Sequence, residues 1–491
     1  MAGGRVMNRW YVVIGAILIQ LCLGAIYAWS VFTPALMKPV VETGKVYVEA
    51  KKTTFDAGKV FLQDGTVVED GKIVQGKDVV IEGEKIIVSG KSVPGGKYSF
   101  TAGQTQWIFS AGLLVFAVVM VAAGRMMRRV GPKRLAISGG IVLGAGYILG
   151  GLFGSSFLAQ LIYIGIIGGA GIGLAYVVPI SVGVKWFPDK KGMVTGLAVA
   201  GFGFGALIWV KSAGAWFGLI NSLNFFGLGG VQSVFLLYGV IFLIVVLLGS
   251  VVMIDPPAGY MPEGWTLPAP TSSGVAASGA SGMNDYLPKE MMKTPQFYIT
   301  WFTFLFSAMA GLMVIGVIAL FGIDALKTTG ITIEAAAAVA GTAMGWYAIL
   351  NGLGRIIWGG ISDKIGRKIS IFLMCLLQGI IMLLFYKMGF SAAALILGAC
   401  IIGFNFGGNF ALFPAITADN FGNKNIGLNY GYVFLSYGIA GILGPQIAGY
   451  FKDTAKGSGD PSVWITPFMI AGIACLIGAG MTLLSKPPKK A

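Results

Sequence analysis

The sequence predicts an all-α membrane protein with twelve transmembrane helices in two six-helix halves, and a small β-rich extracellular insert between helices 1 and 2. Its 491 residues are 56% hydrophobic and only 11% charged, with a mean hydropathy of +0.80, which excludes an ordinary soluble domain. Twelve apolar runs are long enough to cross a bilayer. A basic segment recurs after the second run of each half, which is typical of two parallel repeats.

The apolar runs give the order of the elements. They lie at residues 10–33, 106–123, 135–153, 157–184, 193–215, 232–253, 297–322, 335–361, 369–388, 392–414, 428–451 and 464–484. The first run is too long for the core of a signal peptide, so we expect it to be retained as a helix. The first six-helix half takes residues 1–37 and 104–254, and the second takes residues 296–491.

Basic residues set the expected topology. The formal net charge of +15 is spread among the apolar runs and is not gathered on one polar face, so we do not expect a nucleic-acid partner. By the positive-inside rule, the clusters of Lys and Arg, and with them both termini, face the cytoplasm. We therefore expect a multi-pass protein of the plasma (inner) membrane that has the lipid bilayer as a partner and functions as a monomer.

Two segments lie outside the apolar runs. Residues 38–103 alternate β-forming residues with charges and contain Asp-Gly and Glu-Gly turns, a pattern that predicts short hairpins. This extracellular insert is either a cap without chemistry or a lid or docking module. Residues 255–295 are rich in Pro, Gly, Ser and Ala and predict a flexible cytoplasmic linker. The end of the linker, residues 288–293, is expected to form a short amphipathic helix on the membrane surface.

A short basic motif follows helix 2 and recurs after helix 8. The first copy contributes Gly124, Arg128, Arg129 and Gly131, and the second contributes Gly359, Asp363, Lys364, Gly366 and Arg367. We expect both copies to form loops that take part in gating. The motif resembles that of the major facilitator superfamily, and the resemblance extends over nearly the whole chain. Arg128 stands where that family has an aspartate, so the resemblance implies a weaker charge lock in the first half.

The most informative single residue is Arg355, which lies eight residues before Asp363 in a run that is otherwise free of charge. At helical rise its guanidinium is about 10 to 12 Å from the charged end, inside the hydrocarbon layer. A permanent charge at that depth is costly and typical of a functional site, and a guanidinium forks onto a carboxylate. We therefore expect Arg355 to bind a small organic anion. The alternative is an arginine that snorkels or pairs within the bundle.

Neutral donors and aromatic residues recur at helical spacing around this cation. Tyr347, Asn351 and Arg355 share one face of helix 8, as do Gln20 and Tyr27 in helix 1 and Tyr430, Phe434 and Tyr437 in helix 11. The stretch 405–410 in helix 10 is rich in glycine and is expected to bend or thin that helix beside a cavity. Together these residues predict an aromatic box with one positive charge. For each aromatic residue taken alone, core packing is the alternative.

Several residue types are missing from the runs. The chain has no histidine, and its four cysteines form no close pair, so we expect no metal, no cofactor and no catalytic residues. No Asp or Glu lies deep in a run, because Asp324 and Glu334 fall at helix ends. This absence favours exchange of one anion for another, or uptake in which a proton takes a different route. Lys211 is expected to snorkel to the outer surface.

Several strings resemble the oxalate/formate antiporter family. They are Asn8-Arg9-Trp10, residues 23–30, residues 104–110, Lys185-Trp186-Phe187 with residues 188–192, residues 256–260, and Asn351-Gly352-Leu353-Gly354-Arg355. The resemblance covers the whole bundle except the insert. It implies exchange of small carboxylates by alternating access, with the substrate on Arg355. It also implies an aromatic lining formed by Tyr27, Tyr176, Phe202, Phe406, Phe410 and Phe434.

One departure from that family bears on the substrate. Its dicarboxylate carriers have a lysine on helix 11 where this chain has Tyr437. A second carboxylate would lack a counter-charge, so the resemblance favours a monocarboxylate such as formate, lactate or pyruvate over oxalate. Related proton symporters have an aspartate where this chain has Asn351, but a proton-coupled symporter stays an alternative. An alternative of another class is a membrane sensor that binds its ligand with the insert.

Overall fold

The fold is described from a computed structural model of the chain. The described residues are 7–37, 98, 100–187, 191–257, 260–262, 285–422, 425–454, 460–486 and 488, together with short strands between 53 and 93. Most of the predicted linker 255–295 and most of the predicted insert 38–103 therefore lie outside the described residues.

Long helices account for nearly all of the described chain. We label them α1 (Trp10–Leu36), α2 (Ala102–Val130), α3 (Pro132–Phe153), α4 (Gly169–Trp186), α5 (Lys191–Lys211), α6 (Gly230–Ser250), α7 (Pro295–Leu326), α8 (Ile333–Ile365), α9 (Arg367–Met388), α10 (Ala392–Phe421), α11 (Ile426–Thr454) and α12 (Ile465–Leu484). Within the described residues, eleven helical segments are long and apolar enough to cross a membrane. Helix α5, of 21 residues, lies at the position of the fifth predicted span.

Irregular turns interrupt or extend some of these helices. Helix α1 passes through a 3-10 turn at Gly24–Ala28, and α4 continues from a helical turn at Phe157–Gln160 and a π-helical stretch at Leu161–Gly168. A π-helical turn at Ser212–Trp216 extends α5. Short helices lie at Leu219–Ser222 and Pro288–Met291, the latter where the amphipathic helix is expected, and 3-10 turns lie at Lys327–Thr329 and Pro461–Trp464.

Among the described residues between α1 and α2, seven short strands are present. They are β1 (Thr53–Asp56), β2 (Lys59–Leu62), β3 (Val67–Glu69), β4 (Lys72–Gln75), β5 (Val79–Glu82), β6 (Lys85–Val88) and β7 (Lys91–Val93). Strands β1 to β4 form one antiparallel sheet in sequence order, and β5 to β7 form a second. In the register of these sheets, Asp56 of β1 lies opposite Lys59 of β2, and Glu82 of β5 lies opposite Lys85 of β6. The role of this segment stays a prediction.

Helices α2 and α8 extend beyond their apolar runs, which corrects the expected position of the basic motif. Residues 124–130 and 359–365 belong to α2 and α8 and do not form loops. Each helix is broken only by one glycine, Gly131 or Gly366, before the next helix begins. The dihedral angles φ and ψ are 87° and 154° at Gly131 and 87° and 153° at Gly366. The two halves therefore repeat the same turn, in a conformation that side chains rarely adopt.

Two ends of the bundle are distinguished below. The basic end carries the paired turns at Gly131 and Gly366, and the insert end carries the connection from α1 to α2. At the insert end, the backbone N–H of Phe100 donates to the carbonyl of Leu36 at 3.1 Å. The Gln160 amide donates to the Tyr98 hydroxyl at 3.3 Å, and burial raises the pKa of that phenol.

The halves meet along three pairs of helices, α2 with α11, α5 with α8, and α1 with α7. Small residues allow the close approach. A Cβ at Gly203 of α5 would lie 3.3 Å from the carbonyl oxygen of Ala348 on α8, and one at Gly438 of α11 would lie 2.8 Å from the Cβ of Ala117 on α2. The interface between the halves therefore has little room for added side-chain volume.

We predict that Gly366→Ala destabilises the folded protein, because alanine is strained at a φ of 87°. The expected loss is about 1 to 3 kcal/mol, measured as a lower midpoint of thermal unfolding in detergent. Gly360→Ala is the matched control, because Gly360 lies in α8 and no atom lies within 4 Å of an added Cβ. Equal midpoints for the two variants would contradict the prediction.

Candidate functional site

Arg355 lies on α8 in the interior of the bundle, with only 4% of its surface exposed. Its Nε donates to Oδ1 of Asn351, one turn earlier on the same helix, at 3.0 Å. Its Nη1 donates to the backbone carbonyl of Val199 on α5, at 3.1 Å. Since α5 belongs to the other half, this arginine links the two halves at the centre of the protein.

Two donors beside these contacts have no acceptor. Neither Nη2 of Arg355 nor Nδ2 of Asn351 makes a hydrogen bond to any described residue. The Tyr176 hydroxyl is a neutral hydrogen-bonding neighbour of the guanidinium, and no carboxylate is paired with Arg355 among the described ion pairs. A buried guanidinium with a free nitrogen and a neighbouring free amide can accept one anionic group that has two oxygens.

Aromatic rings enclose the guanidinium. Its central carbon lies 4.2 Å from the centroid of the Phe410 ring and 6.0 Å from that of Phe202, which is within the range of cation–π attraction. Phe406 packs on Phe410, with ring centroids 5.3 Å apart. The rings come from α5 in one half and α10 in the other, so both halves contribute to the enclosure.

A hydroxyl pair closes the opposite side of the aromatic cluster. Tyr27 on α1 and Tyr437 on α11 are hydrogen-bonded through their hydroxyl oxygens at 2.7 Å. The Tyr27 ring contacts Phe202 at 4.9 Å, and the Tyr437 ring contacts Phe434 at 4.8 Å and Phe410 at 5.6 Å. This hydrogen bond again joins the two halves, and both hydroxyls are buried away from solvent.

The remaining predicted residues join the same cluster. The Tyr176 ring packs on Phe202 at 5.6 Å and on Phe434 at 6.4 Å. Gln20 donates from Nε2 to the Tyr176 carbonyl at 3.2 Å, so it supports α4 beside the cluster. The structure thus brings together all ten candidate residues, and their roles in binding stay predictions.

Two rings of the cluster are missing from the sequence prediction. Phe116 on α2 contacts Tyr176, Phe434 and Tyr437 at 5.0, 5.7 and 6.1 Å. Phe304 on α7 contacts Phe434 at 6.1 Å. A phenylalanine in an apolar run carries no signal that distinguishes it from a lipid-facing residue. The contact of the Val199 carbonyl likewise cannot be predicted from the sequence, because every residue has a backbone carbonyl.

The glycine-rich stretch of α10 does not interrupt the helix, which runs unbroken from Ala392 to Phe421. Its glycines allow α10 to press against α8, and the expected bend stays a prediction. A Cβ at Gly407 would overlap the carbonyl of Asn351, and a Cβ at Gly354 of α8 would overlap the carbonyl of Phe404. Close packing of these backbones therefore holds the helix that carries Arg355.

The second copy of the basic motif forms a charge network at the basic end. Arg367 pairs with Asp363 at 2.6 Å and with Asp419 of α10 at 3.8 Å, and also contacts Ser362. In the first copy the side chain of Arg128 lies outside the described residues, so the weaker lock stays a prediction. In that half, Arg125 donates to the Tyr432 hydroxyl of α11 at 2.9 Å, which joins the halves at this end.

Three of the strings quoted above converge at the basic end. The Arg9 guanidinium lies 4.5 Å from the centroid of the Phe187 ring, and the rings of Trp186 and Tyr260 are 4.9 Å apart. Lys185 pairs with Asp255 at 2.8 Å, with both side chains nearly half exposed. These contacts tie the start of α1 and the segment after α6 to the end of α4.

The other ionisable residues of the runs lie near the insert end. Asp324 is in the last turn of α7, where it pairs with Lys452 at 2.6 Å. Lys211 donates to the Thr342 hydroxyl of α8 at 3.0 Å. Its amine therefore contacts the other half, and the expectation that it snorkels stays untested.

The protein is a helical bundle of two halves that meet at a buried cation. This arrangement is typical of membrane transporters. The family model of the Major Facilitator Superfamily matches residues 83–445 and 326–491, so the chain belongs to the major facilitator superfamily and is a multi-pass membrane protein with the fold of that family.

Individual relatives support the oxalate/formate-type assignment. The oxalate:formate antiporter of Oxalobacter formigenes is 25% identical, over 99% of this chain and 95% of its own length. Apicoplast pyruvate carrier 1 of Toxoplasma gondii is 25% identical, over 89% of this chain and 83% of its own length. A crystal structure of a bacterial homolog of the human lysosomal transporter Spinster has a TM-score of 0.61 at 14% identity and covers 98% of this chain and 97% of that chain, which shows the fold.

We predict that Tyr437→Phe destabilises the protein more than the double variant Tyr27→Phe/Tyr437→Phe. The single change leaves the buried Tyr27 hydroxyl without its partner at 2.7 Å, a loss of about 1 to 3 kcal/mol, whereas removing both hydroxyls leaves nothing unsatisfied. The free energies of unfolding of the two single variants and the double variant form a double-mutant cycle. Strictly additive losses would show that the hydroxyls do not interact.

Proposed function

We propose that this transporter exchanges small monocarboxylates, such as formate, lactate or pyruvate, by alternating access, and that the carboxylate binds Arg355. The observation that carries this proposal is the unsatisfied Nη2 of Arg355 beside the unsatisfied Nδ2 of Asn351. A buried donor without an acceptor is costly, and a charged one more so. A carboxylate has two acceptor oxygens, so a single anionic group can supply an acceptor to each of these two donors.

Charge neutralisation gives a physical reason for exchange. An empty site holds a bare cation away from water, and enclosing it costs free energy that a bound anion offsets. The loaded carrier then passes through its enclosed state more easily than the empty one. Nη1 of Arg355 donates to the Val199 carbonyl of the other half. A carboxylate bound to the guanidinium therefore lies next to a hydrogen bond that must break when the halves separate.

Tyr437 favours one carboxylate over two. Its hydroxyl is engaged with Tyr27 and it carries no positive charge. The nearest described rings, Phe434, Phe410 and Phe116, are apolar. A second carboxylate of the substrate would enter this aromatic surface without a counter-ion, which is unfavourable. Gln20, Tyr176 and Phe406 complete the proposed binding residues by supporting or lining this enclosure.

The finer topology belongs to the same proposal. We infer twelve spans, with α5 as the fifth, and halves at 1–37 with 104–254 and at 296–491. The insert 38–103 would then lie outside the cell, and both termini and the linker 255–295 would lie in the cytoplasm. Positive charges at the basic end support this orientation in the plasma membrane. Nothing in the proposed cycle requires more than one copy of the chain.

Counterflow in proteoliposomes tests the role of Arg355. Vesicles preloaded with formate, lactate or pyruvate should take up labelled substrate faster than vesicles preloaded with oxalate, and Arg355→Lys should reduce this exchange by more than about tenfold, because a lysine cannot fork onto a carboxylate. Lys387→Gln is the matched control, since Lys387 is an exposed cation on α9. Unchanged exchange in a correctly folded Arg355→Lys protein would refute the proposal.

A second substitution tests the selectivity. Tyr437→Lys adds a cation opposite Arg355, so the ratio of oxalate to formate exchange should rise about tenfold. Tyr450→Lys makes the same change on the same helix at a side chain that is 65% exposed, and should leave the ratio unchanged. If oxalate already outcompetes every monocarboxylate in the native chain, the argument from Tyr437 is wrong.

A further inference from the structure

At the insert end, α11 ends with two neighbouring charged residues, one of which contacts the other half while the second contacts its own half. The two carboxylate oxygens of Asp453 accept from the backbone N–H groups of Ala102 and Gly103, each at 2.7 Å. These are the first residues of α2, in the other half. The adjacent Lys452 turns back into its own half and pairs with Asp324 of α7 at 2.6 Å.

The contact between Asp453 and α2 is electrostatically favourable. The first N–H groups of a helix have no partner within the helix and carry its positive dipole end. Thr101 accepts from the N–H of Gln104 in a capping box, and Asp453 accepts from two of the remaining donors. The bonds are short and charge-assisted, so they are stronger than neutral ones. One side chain thus completes the helix cap across the boundary between the halves.

Glycine makes this contact possible. A Cβ at Gly449 would lie 3.0 Å from the Cα of Gly103, and a Cβ at Gly103 would lie 2.7 Å from Oδ2 of Asp453. Larger residues at either position would push α11 away from the start of α2. The backbone approach and the carboxylate therefore depend on each other.

A buried ion pair fixes the helix end that carries Asp453. The side chains of Asp324 and Lys452 are 8% and 11% exposed. Asp324 also accepts from the indole N–H of Trp464 at 2.9 Å, and Lys452 lies 5.9 Å from the centroid of that ring. Removing one member of such a pair leaves a buried charge without a partner, which is strongly unfavourable. The end of α11 is thereby held firmly to its own half.

We propose that Asp453 is a gating residue of the transport cycle, whose carboxylate holds the insert end of the site closed by capping α2. Since α2 and α11 belong to different halves, the site can open toward the insert end only after both hydrogen bonds break. Asp324, Lys452 and Trp464 are positioning residues that aim Asp453 at α2. This gate acts on the motion of the halves and does not depend on which anion is carried.

Two cysteine reporters on α2 can follow the gate. Ser110 is buried about two turns beyond Gly103 and accepts from the Gln446 amide of α11 at 3.4 Å. Val121 lies toward the basic end, 3.4 Å from a Cβ built on Gly431 of α11. Ser110→Cys and Val121→Cys would each be placed in a chain whose native cysteines are replaced by alanine. Both would be labelled with a membrane-impermeant maleimide in permeabilised proteoliposomes.

We predict that Asp453→Asn raises the labelling rate of Ser110→Cys about tenfold, because an amide loses the charge-assisted bonds. The labelling of Val121→Cys should fall, because a population that opens at one end closes at the other. Asp453→Glu should lie closer to the native rates, since it keeps the charge. Glu334→Gln is the matched control at the same end, in the exposed first turn of α8, and should change neither rate.

The paired reporters separate gating from unfolding. A rise at Ser110→Cys with a fall at Val121→Cys supports the proposal. Unchanged labelling at Ser110→Cys overturns the proposal, because opening toward the insert end would then not depend on the Asp453 carboxylate. Increased labelling of both reporters also overturns it, because that result indicates general loosening of the bundle and assigns Asp453 a structural role only.

Discussion

The rest of this structure depends on the burial of one permanent positive charge. Arg355 is almost completely withdrawn from solvent, where a lone guanidinium is costly. Asn351, the Val199 carbonyl and the Phe410 ring each stabilise part of it. None of them supplies a negative charge, so the positive charge stays uncompensated within the described residues. The same group is both a buried charge without a described ionic partner and a hydrogen-bonded link between the two halves.

Contacts between the halves are distributed along the whole length of the bundle. Asp453 caps α2 at the insert end, the Tyr27 and Tyr437 hydroxyls meet at the centre, and Arg125 reaches Tyr432 at the basic end. Small residues between them keep the helices close. All of these contacts are present together, so polar contacts join the halves near Arg355 and at both ends of the bundle. Any opening must break polar contacts at one end while those at the other persist.

Helical spacing predicted much of this arrangement, and local chemistry explains the remainder. Tyr347, Asn351 and Arg355 recur at intervals of four, and all three are buried on the same face of α8. The end of α8 was not predictable from hydropathy, because charged residues continue the helix until Gly366. Phe116 carries no distinguishing pattern in its apolar run, and the contribution of Val199 comes from its backbone. The contact of Asp453 has no signal in the sequence, because its partners are backbone N–H groups about 350 residues earlier in the chain.

Lys452 and Asp453 contact different helices, and this limits insertions and deletions in the last turns of α11. Successive helical residues are rotated by about 100°, so inserting or deleting one residue in the final turns of α11 would swing both side chains away together. The ammonium would then leave its buried carboxylate and the acid would leave the start of α2. Many substitutions in those turns would preserve both contacts. An insertion or deletion of one residue would break both contacts together. These turns should therefore tolerate substitutions better than changes in length.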